Sequence, residues 1–161
     1  MNRMQRNYAP LAQPDRYSGD RRSRMQQVVD LIWETFADQG VSWVGFYLPE
    51  TGEAEASDES TGHMVLGPMR DKPACSPIGL HGACGQTFRS RQPMVVRDVA
   101  DLGADYIACD PRDRSEVVVP LLDADGVCQA VIDLDSHERD AFSEHDVAGL
   151  TAVLRAARLT A

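Results

Sequence analysis

Apolar residues recur along this chain at two spacings, which predict helices and strands in a definite order. From Asp20 to Gly40 they recur at three- and four-residue steps, as on the buried face of a helix. A second helical stripe, 147–157, follows a capping-box pair, Ser143 and Asp146. The remaining elements are a short helix at 83–91 and strands at 41–48, 63–68, 94–99, 117–122 and 127–132.

The order of these elements predicts an α+β domain built on one sheet. The predicted order is helix, two strands, loop, short helix, three strands and helix. This order implies a mostly antiparallel sheet, with the N- and C-terminal helices packed together on one face. Residues 1–19 have no sustained period, so we expect an irregular arm or a short helix, as a polar and partly disordered lead-in, before a single domain at 20–161. Two long predicted loops, 69–82 and 100–114, are candidates for function, because long loops in compact domains are seldom idle.

The length and charge narrow the classes of function. A chain of 161 residues with a net charge of −9 predicts one acidic domain, which argues against a general nucleic-acid or anionic-membrane binder. No apolar run approaches the roughly 18 residues of a membrane span, and the N-terminus has no signal-peptide core, so the expected compartment is the cytosol (cytoplasmic). Six arginines among the first 24 residues leave a basic organelle-targeting segment as an alternative.

An acidic hairpin is the most unusual feature of the sequence. Its two strands carry Glu116, Asp133 and Asp135, although carboxylates are rare within apolar strands. Side chains alternate along a strand, so a two-residue loop at 124–125 places Glu116 opposite Asp133. A loop at 125–126 places Glu116 opposite Asp135 instead. In both registers the three carboxylates share one face, whereas a three-residue loop or a bulge changes this parity.

Three clustered carboxylates repel one another, and the sequence leaves several ways to offset that cost. One carboxyl can stay protonated through a raised pKa, in which case Glu116 can donate a hydrogen bond or act as a general acid. A cation can fill the space, and an ammonium group suits it better than a metal, which wants more oxygen ligands. Alternatively, arginines such as Arg112 and Arg114 neutralise the cluster, or water solvates it.

The four cysteines predict thiol chemistry rather than structural crosslinks. In a reducing compartment, any disulfide is expected to be catalytic or redox-sensing. Cys75 and Cys109 lie in the two long predicted loops, and no pair has C-x-x-C spacing. A zinc site built from Cys75, His81 and Cys84 is an alternative that lacks the usual ligand spacing. Cys128 is predicted to be a buried structural thiol on the strand face opposite the carboxylates.

The sequence around these residues resembles the free methionine-(R)-sulfoxide reductases, which are single domains of the GAF fold. The resemblance covers roughly residues 22–157, and a generic GAF sensor is not expected to carry three cysteines in these contexts. It implies a GAF-like sheet with the terminal helices on one face and ligand loops on the other. The matching motifs are Trp43-Val44-Gly45-Phe46-Tyr47-Leu48, Leu66-Gly67-Pro68, Lys72-Pro73-Ala74-Cys75, Gly82-Ala83-Cys84-Gly85, Ile107-Ala108-Cys109-Asp110, Ser115-Glu116-Val117-Val118-Val119-Pro120 and Ile132-Asp133-Leu134-Asp135-Ser136.

The resemblance implies a role for each of three cysteines. Cys109 is the catalytic nucleophile, which attacks the sulfoxide sulfur, releases methionine and becomes a sulfenic acid. Cys75 resolves that sulfenic acid into a disulfide. Cys84 is an auxiliary resolver or relay, unless it merely packs near a helix start. Thioredoxin restores the thiols with electrons that come from NADPH through its reductase, and no bound cofactor or metal is expected.

The resemblance also implies the substrate-binding residues. Glu116, Asp133 and Asp135 hold the sulfoxide oxygen and the substrate ammonium. An acidic pocket floor favours a free amino acid over a peptide-bound residue, whose amine is gone. Trp43 and Tyr47 form an aromatic wall for the methyl-sulfoxide end, although both also fit a plain strand core.

The sequence departs from the family pattern near the predicted nucleophile. The two intervals between the three cysteines differ from the family's by one residue each, and Tyr106 stands where a histidine is common. Arg112 and Arg114 replace small or amide residues. These arginines either lower the pKa of the Cys109 thiol or neutralise Glu116 and weaken substrate binding.

Two other functions stay open at this point. The first is a non-catalytic GAF sensor or binding module for a small amine-bearing ligand. The second is a thiol redox switch that forms a Cys75–Cys109 crosslink and binds no amino acid. GAF domains often associate through their terminal helices, so a homodimer is a further expectation.

Overall fold

The computed structural model describes residues 5–50, 62–71, 74–107 and 109–161. These residues form three α-helices and six strands, with short 3-10 segments between some of them. The helices are α1 (Arg21–Phe36), α2 (Ala83–Ser90) and α3 (Glu144–Ala156). The strands are β1 (Trp43–Pro49), β2 (His63–Arg70), β3 (Ile78–Gly79), β4 (Met94–Val96), β5 (Ser115–Leu122) and β6 (Cys128–Ser136).

Helix α1 begins and ends where the sequence predicts. The Asp20 side chain accepts a hydrogen bond from the Ser23 amide at 2.8 Å, which caps the first turn. A 3-10 turn, Ala37–Gln39, follows the helix, and Gly40 then adopts a left-handed conformation with φ of +91°. Helix α3 starts with the predicted capping box between Ser143 and Asp146.

The sheet has the order β3-β2-β1-β6-β5-β4, and every neighbouring pair is antiparallel. Two predictions differ from it. The two-residue edge strand β3 lies inside a segment predicted as loop, because so short a run carries no periodic signal. The strand predicted at 94–99 ends at Val96, and Val99–Asp105 forms a 3-10 segment.

One face of the sheet packs against α1 and α3 through an almost wholly apolar layer, which we call the helix-face cluster. Along β5 and β6 its members alternate with the residues of the opposite face, as a pleated strand requires. None of these strand members is more than 2% exposed. They are Val117, Val119, Leu121, Ala130, Ile132 and Leu134.

The described part of the N-terminal arm belongs to this same layer, so the expectation of a polar, partly disordered lead-in is wrong for residues 5–19. Tyr8 is buried, and its ring lies 4.8 Å from that of Phe36. The Tyr8 hydroxyl donates to Asp146 Oδ1 at 2.7 Å, and Arg6 Nη1 donates to the same oxygen at 2.9 Å. Residues 1–4, including Arg3 of the targeting alternative, lie outside the described residues, and the boundary at residue 19 stays a prediction.

The β5–β6 hairpin has the second of the two predicted registers, in which Glu116 pairs with Asp135. It reaches this register by a different route. The Asp123 amide donates to the Val127 carbonyl, which closes a three-residue loop, and Gly126 takes a φ of +80°. The pairing then shifts by one at Gln129, so the bulge restores the parity that the odd loop removes.

Because of this bulge, the sheet face predicted for Cys128 is wrong. The thiol is buried, at 4% exposure, as expected. It packs with Val118 and Val131, on the carboxylate side of the sheet rather than the opposite side. The shift at Gln129 reverses the facing of the residues before it, and strand periodicity alone does not reveal such a shift.

Among the described residues, none of the helices combines the length and apolarity needed to cross a membrane.

Candidate functional site

The second face of the sheet carries a pocket enclosed by α2 and by the loops that precede β3 and β5. Its apolar base, which we call the site-face cluster, is separate from the helix-face cluster. The pocket is lined by residues from five parts of the chain: β1 and the residue before it, the segment at 74–78, the start of α2, the loop at 102–113 and the β5–β6 hairpin. The site-face cluster includes Trp43, Tyr47, Cys84, Val118 and Val131.

Three carboxyls form the floor of this pocket, as the hairpin pattern predicts. Glu116 lies directly opposite Asp135, and Asp133 lies opposite Val118, one step along the same face. Glu116 is 8% exposed and Asp133 is 5% exposed. Burial raises the pKa of all three carboxyls above the ordinary range, and for Asp133 and Asp135 the negative charge of their neighbours raises it further.

No arginine among the described residues neutralises this floor. Arg112 makes a two-point contact with Asp110, from Nε at 3.0 Å and from Nη2 at 2.9 Å. Arg114 is exposed and forms no ion pair with the three floor carboxyls. The alternative in which these arginines neutralise the cluster is therefore wrong, and so is the alternative of a solvated face, because Glu116 and Asp133 are buried.

Apart from the rim, where Asp113 lies near His137, two polar atoms of the pocket have no hydrogen-bond partner among the described residues. One is Asp133 Oδ1, on the floor, and the other is the hydroxyl of Ser42, at the entrance to β1. Buried polar groups are almost always hydrogen-bonded, so unpartnered ones at a pocket indicate a bound ligand or water. Ser42 was not predicted from the sequence, since a serine beside a strand carries no distinctive signal.

A disulfide between Cys75 and Cys109 lies at the pocket, with the two Cα atoms 5.5 Å apart. The bond joins the two long predicted loops, which are 34 residues apart in sequence. The Tyr47 hydroxyl donates to the Cys75 carbonyl at 2.8 Å and so ties one of these loops to β1. Because Cys75 is bonded to Cys109, its sulfur is not available for the zinc site considered with His81 and Cys84.

Cys84 is a free thiol on the first turn of α2, and it faces the carboxyl floor. Its Sγ, an oxygen of Glu116 and an oxygen of Asp133 all lie within 4.8 Å of one another. Burial and the three nearby carboxyls raise the pKa of this thiol well above its ordinary value. In this arrangement Cys84 is a neutral thiol rather than an activated nucleophile.

Trp43 and Tyr47 form one wall of the pocket while also packing in the site-face cluster. Their ring centroids are 6.1 Å apart, and they are 7% and 3% exposed. Gly45 explains why the indole can lie over the strand, since a Cβ on Gly45 would stand 2.4 Å from the Trp43 ring. Trp43 and Tyr47 therefore line the pocket and are also part of the buried core, so the two alternatives for these residues do not exclude each other.

Comparison with known proteins assigns this arrangement to a family. The GAF domain family matches residues 18–159. The solved structure of a free methionine-R-sulfoxide reductase from Neisseria meningitidis, in complex with its substrate, is 30% identical and superposes with a TM-score of 0.73 over 95% of this chain and 84% of that one. This chain belongs to the GAF-domain family of free methionine-(R)-sulfoxide reductases.

Two further relatives share the GAF fold or the reductase name. A GAF sensor protein from Burkholderia vietnamiensis has a TM-score of 0.78 at 33% identity, over 95% of this chain and 92% of that one. The free methionine-R-sulfoxide reductase of Saccharomyces cerevisiae is 35% identical over 119 residues, which is 72% of this chain. The matched part spans 62% of the yeast protein's length. The α+β GAF fold and the family membership predicted from the sequence are thus confirmed.

The family resemblance predicted no role for the residues around Asp110, at the rim of the pocket. Hydrogen bonds from Arg112 hold the pKa of Asp110 well below its usual range. His137 Nε2, just after β6, lies 3.6 Å from Asp110 and 3.8 Å from Asp113. Burial raises the pKa of the nearby Tyr106 hydroxyl to about 12. The one sequence signal for this rim was the acidic residue directly after Cys109.

Three residues of the quoted motifs, Lys72, Pro73 and Ala108, lie outside the described residues. The remaining predicted site residues, Cys75 among them, meet at this single pocket or at the loop bonded to it. The arrangement combines a disulfide-bonded cysteine pair, a buried acidic floor and an aromatic wall, which suits thiol chemistry on a small cationic molecule.

Proposed function

We propose that this protein reduces free L-methionine-(R)-sulfoxide to methionine, with Cys109 as nucleophile and Cys75 as resolving cysteine. The observation that carries the proposal is the Cys75–Cys109 disulfide at a pocket whose floor is three buried carboxyls. A disulfide between distant loops is the expected resting product of such a reaction. In a reducing compartment a disulfide of this kind is catalytic or redox-sensing.

The chemistry runs through two steps on the protein and one reductive step. The Cys109 thiolate attacks the sulfoxide sulfur, the oxygen passes to Cys109 with the net uptake of one proton, and methionine leaves behind a sulfenic acid. The Cys75 thiol then displaces water from that sulfenic acid, which forms the disulfide. A thioredoxin dithiol reduces the disulfide by exchange and becomes oxidised itself, and NADPH restores thioredoxin through its reductase.

The carboxyl floor accounts for selection of a free amino acid. Glu116, Asp133 and Asp135 offer acceptors to an α-ammonium, and Asp133 Oδ1 has no other partner among the described residues. An amide nitrogen within a peptide carries no charge and would leave the buried carboxyls uncompensated. We therefore expect methionine sulfoxide within a peptide to be a poor substrate.

The raised pKa values give the floor a second role. Burial raises the pKa of both Glu116 and Asp133, which favours a proton on one of these two adjacent carboxyls. That proton can be donated to the sulfoxide oxygen as the sulfur is attacked, which makes the pair a general acid. Trp43 and Tyr47 would hold the methyl-sulfoxide end against their rings.

The remaining roles follow from the positions of the other residues. Cys84 is buried beside the floor, which suits an auxiliary thiol that is used after the loops open. Two free thiols, Cys84 and Cys128, fit a reducing, cytoplasmic compartment in which thioredoxin operates. A homodimer through the terminal helices stays a prediction.

The test is a thioredoxin-coupled NADPH assay with four substrates: each epimer of free methionine sulfoxide and each epimer of its N-acetylated form. Turnover is expected with the free R epimer alone. Cys109→Ser should abolish it, and Cys75→Ser should stop turnover after a single equivalent of methionine is released. Cys128→Ser is the matched control, because that buried thiol lies outside the pocket lining, and it should keep full activity.

The assay also separates this proposal from the alternatives. Binding of the free amino acid by wild-type protein without turnover would overturn the proposal and support a GAF binding module. Peroxide-driven formation of the Cys75–Cys109 bond without amino-acid binding would support a thiol switch.

A further inference from the structure

Transfer of oxygen to Cys109 and formation of the Cys75–Cys109 disulfide do not require a thiol beside the acidic floor, yet Cys84 lies there. Its Sγ and one oxygen each from Glu116 and Asp133 lie mutually within 4.8 Å. The three residues are 5%, 8% and 5% exposed. Two carboxyls and a thiol gathered in so small a buried volume resemble a ligand set more than an accidental surface cluster.

The geometry suits a small divalent cation. Zinc binds thiolate sulfur at about 2.3 Å and carboxylate oxygen at about 2.0–2.2 Å, so its tetrahedral ligands lie about 3.4–3.7 Å from one another. The three atoms lie within 4.8 Å of one another, so side-chain adjustments need to shorten each separation by at most about 1.4 Å. A sulfur ligand favours zinc over magnesium or calcium, which take oxygen ligands. The pocket next to Asp135 leaves room for a fourth ligand, such as water.

A second observation indicates a missing partner at this place. Asp133 Oδ1 is buried and accepts no hydrogen bond from any described residue. No arginine compensates the floor either, because Arg112 is engaged with Asp110. A cation would supply the missing contact, and its charge would take the place of the compensating proton.

We propose that Cys84, Glu116 and Asp133 form a binding site for a zinc-class divalent cation, which competes with the amino-acid ammonium for the same carboxyls. Coordination replaces the proton of the Cys84 thiol, and that proton passes to solvent. Cation and amino acid therefore cannot occupy the floor together. The competition rests on the proposed function, whereas the cation site itself does not.

The experiment uses the tag-free, full-length protein in its oxidised form and Co²⁺ as a spectroscopic probe. With the Cys75–Cys109 disulfide formed, Cys84 and Cys128 are the remaining thiols of the chain. Wild type should bind one equivalent of Co²⁺ and show a thiolate-to-cobalt charge-transfer band in the near ultraviolet, and Zn²⁺ should remove it. Cobalt held at the rim by Asp110, Asp113 and His137 would give no such band, since that group lacks a thiol.

Matched variants decide which thiol binds. Cys84→Ser should abolish the band and weaken Co²⁺ binding at least about tenfold, whereas Cys128→Ser should change neither. Glu116→Gln keeps both thiols and should also weaken binding at least about tenfold, which guards against a Cys84→Ser variant that folds poorly. A band that survives Cys84→Ser, or disappears in Cys128→Ser, would overturn the site.

Free methionine-(R)-sulfoxide added to the cobalt complex tests the competition. The apparent Kd for Co²⁺ should rise in proportion to the amino acid, and N-acetylation should remove this effect. Cobalt binding that does not respond to the free amino acid would overturn the shared site. The titration requires no turnover, so it gives its result whether or not the reductase assay succeeds, and failure of the titration leaves the reductase proposal intact.

Discussion

The two faces of one sheet differ in almost every physical respect, although the same two strands supply both. On the helix face, Val117, Ile132 and Leu134 are fully buried among apolar neighbours and the docked N-terminal arm. On the site face, Glu116 and Asp133 occupy the intervening positions and are nearly as buried. Alternate residues of a single strand therefore serve opposite purposes.

The helix face contributes to the stability of the domain, whereas the site face is suited to binding a ligand. Burial of apolar side chains is favourable, at about 25 cal/mol per Å². Burial of like-charged carboxyls is unfavourable unless a proton or a cation compensates them. The site face thus requires a compensating proton or cation, and the helix face requires neither. The following predictions test that division, from the largest expected effect to the smallest.

Leu134→Ala should damage the helix face alone. Leu134 is fully buried between Asp133 and Asp135 in sequence but on the other side of the sheet. The variant should lose about 2–5 kcal/mol of unfolding free energy, from lost burial and the cavity left behind. Urea unfolding measures this loss. Activity per folded molecule should stay unchanged, and a specific loss of activity would show that the two faces are not independent.

Asp133→Asn should damage the site face alone. The substitution keeps the shape but removes a carboxyl oxygen that is proposed to accept from the substrate ammonium once the ammonium has taken the place of the carboxyl's proton. Loss of one charged hydrogen bond, about 1.5–3 kcal/mol, corresponds to a roughly tenfold to 150-fold rise in the Kd of the free amino acid by calorimetry. Asp125→Asn, at the exposed hairpin tip, is the matched control and should bind normally. Unchanged affinity in Asp133→Asn would exclude this carboxyl from recognition.

The pH dependence of stability should also report the site face. The pKa of Asp133 is raised in the folded state, so above about pH 4 the folded chain holds a proton that the unfolded chain releases. Its contribution to stability is present at low pH and is lost as the pH rises through the folded pKa. The unfolding free energy of wild type should fall relative to Asp133→Asn by up to about 1.4 kcal/mol per pH unit.

Urea unfolding at a series of pH values measures that difference. Asp110, at the rim, has a lowered pKa and acts with the opposite sign, since its contribution is lost only as the pH falls below about 4. A wild-type minus variant difference that grows more positive with rising pH would contradict the assignment of the raised pKa to the floor.

Arg112→Ala should have the smallest effect. The guanidinium is exposed and bound to Asp110, so its removal leaves the charge of the floor as it was. The KM for the free R epimer should not change. A marked fall in KM would mean that Arg112 had been neutralising Glu116 after all. Arg114→Ala, at the neighbouring exposed arginine, provides the comparison.

The acidic hairpin shows how far strand periodicity carries a prediction. Alternation placed Glu116, Asp133 and Asp135 on one face, and the structure confirms that grouping. The same reasoning misplaced Cys128, because the bulge at Gln129 reverses the facing of the residues before it. The three-residue loop and the bulge each shift the pairing register by one residue. For Asp133 and Asp135, which follow both, the two shifts cancel, whereas Cys128 precedes the bulge and lies on the face opposite the predicted one.

Two other sequence predictions differ from the structure because they depend on contacts that no local sequence pattern encodes. The arm at 5–19 has no period, and its burial depends on Tyr8 reaching both Phe36 and Asp146. The partner of Arg112 proved to be local, two residues away at Asp110, although the sequence offered Glu116 as readily. Which carboxylate an arginine contacts depends on the path of the backbone between them, which the sequence does not specify.

The sequence by itself determined which side chains alternate across the strands, where the helices begin, and which residue types could do thiol chemistry. Periodicity and capping are local, so they can be read without a structure. The tertiary structure decided that the loops of Cys75 and Cys109 meet at one pocket, and that Cys84 is buried against the carboxyl floor. Those contacts join segments far apart in the chain, and their formation depends on the packing of the whole domain.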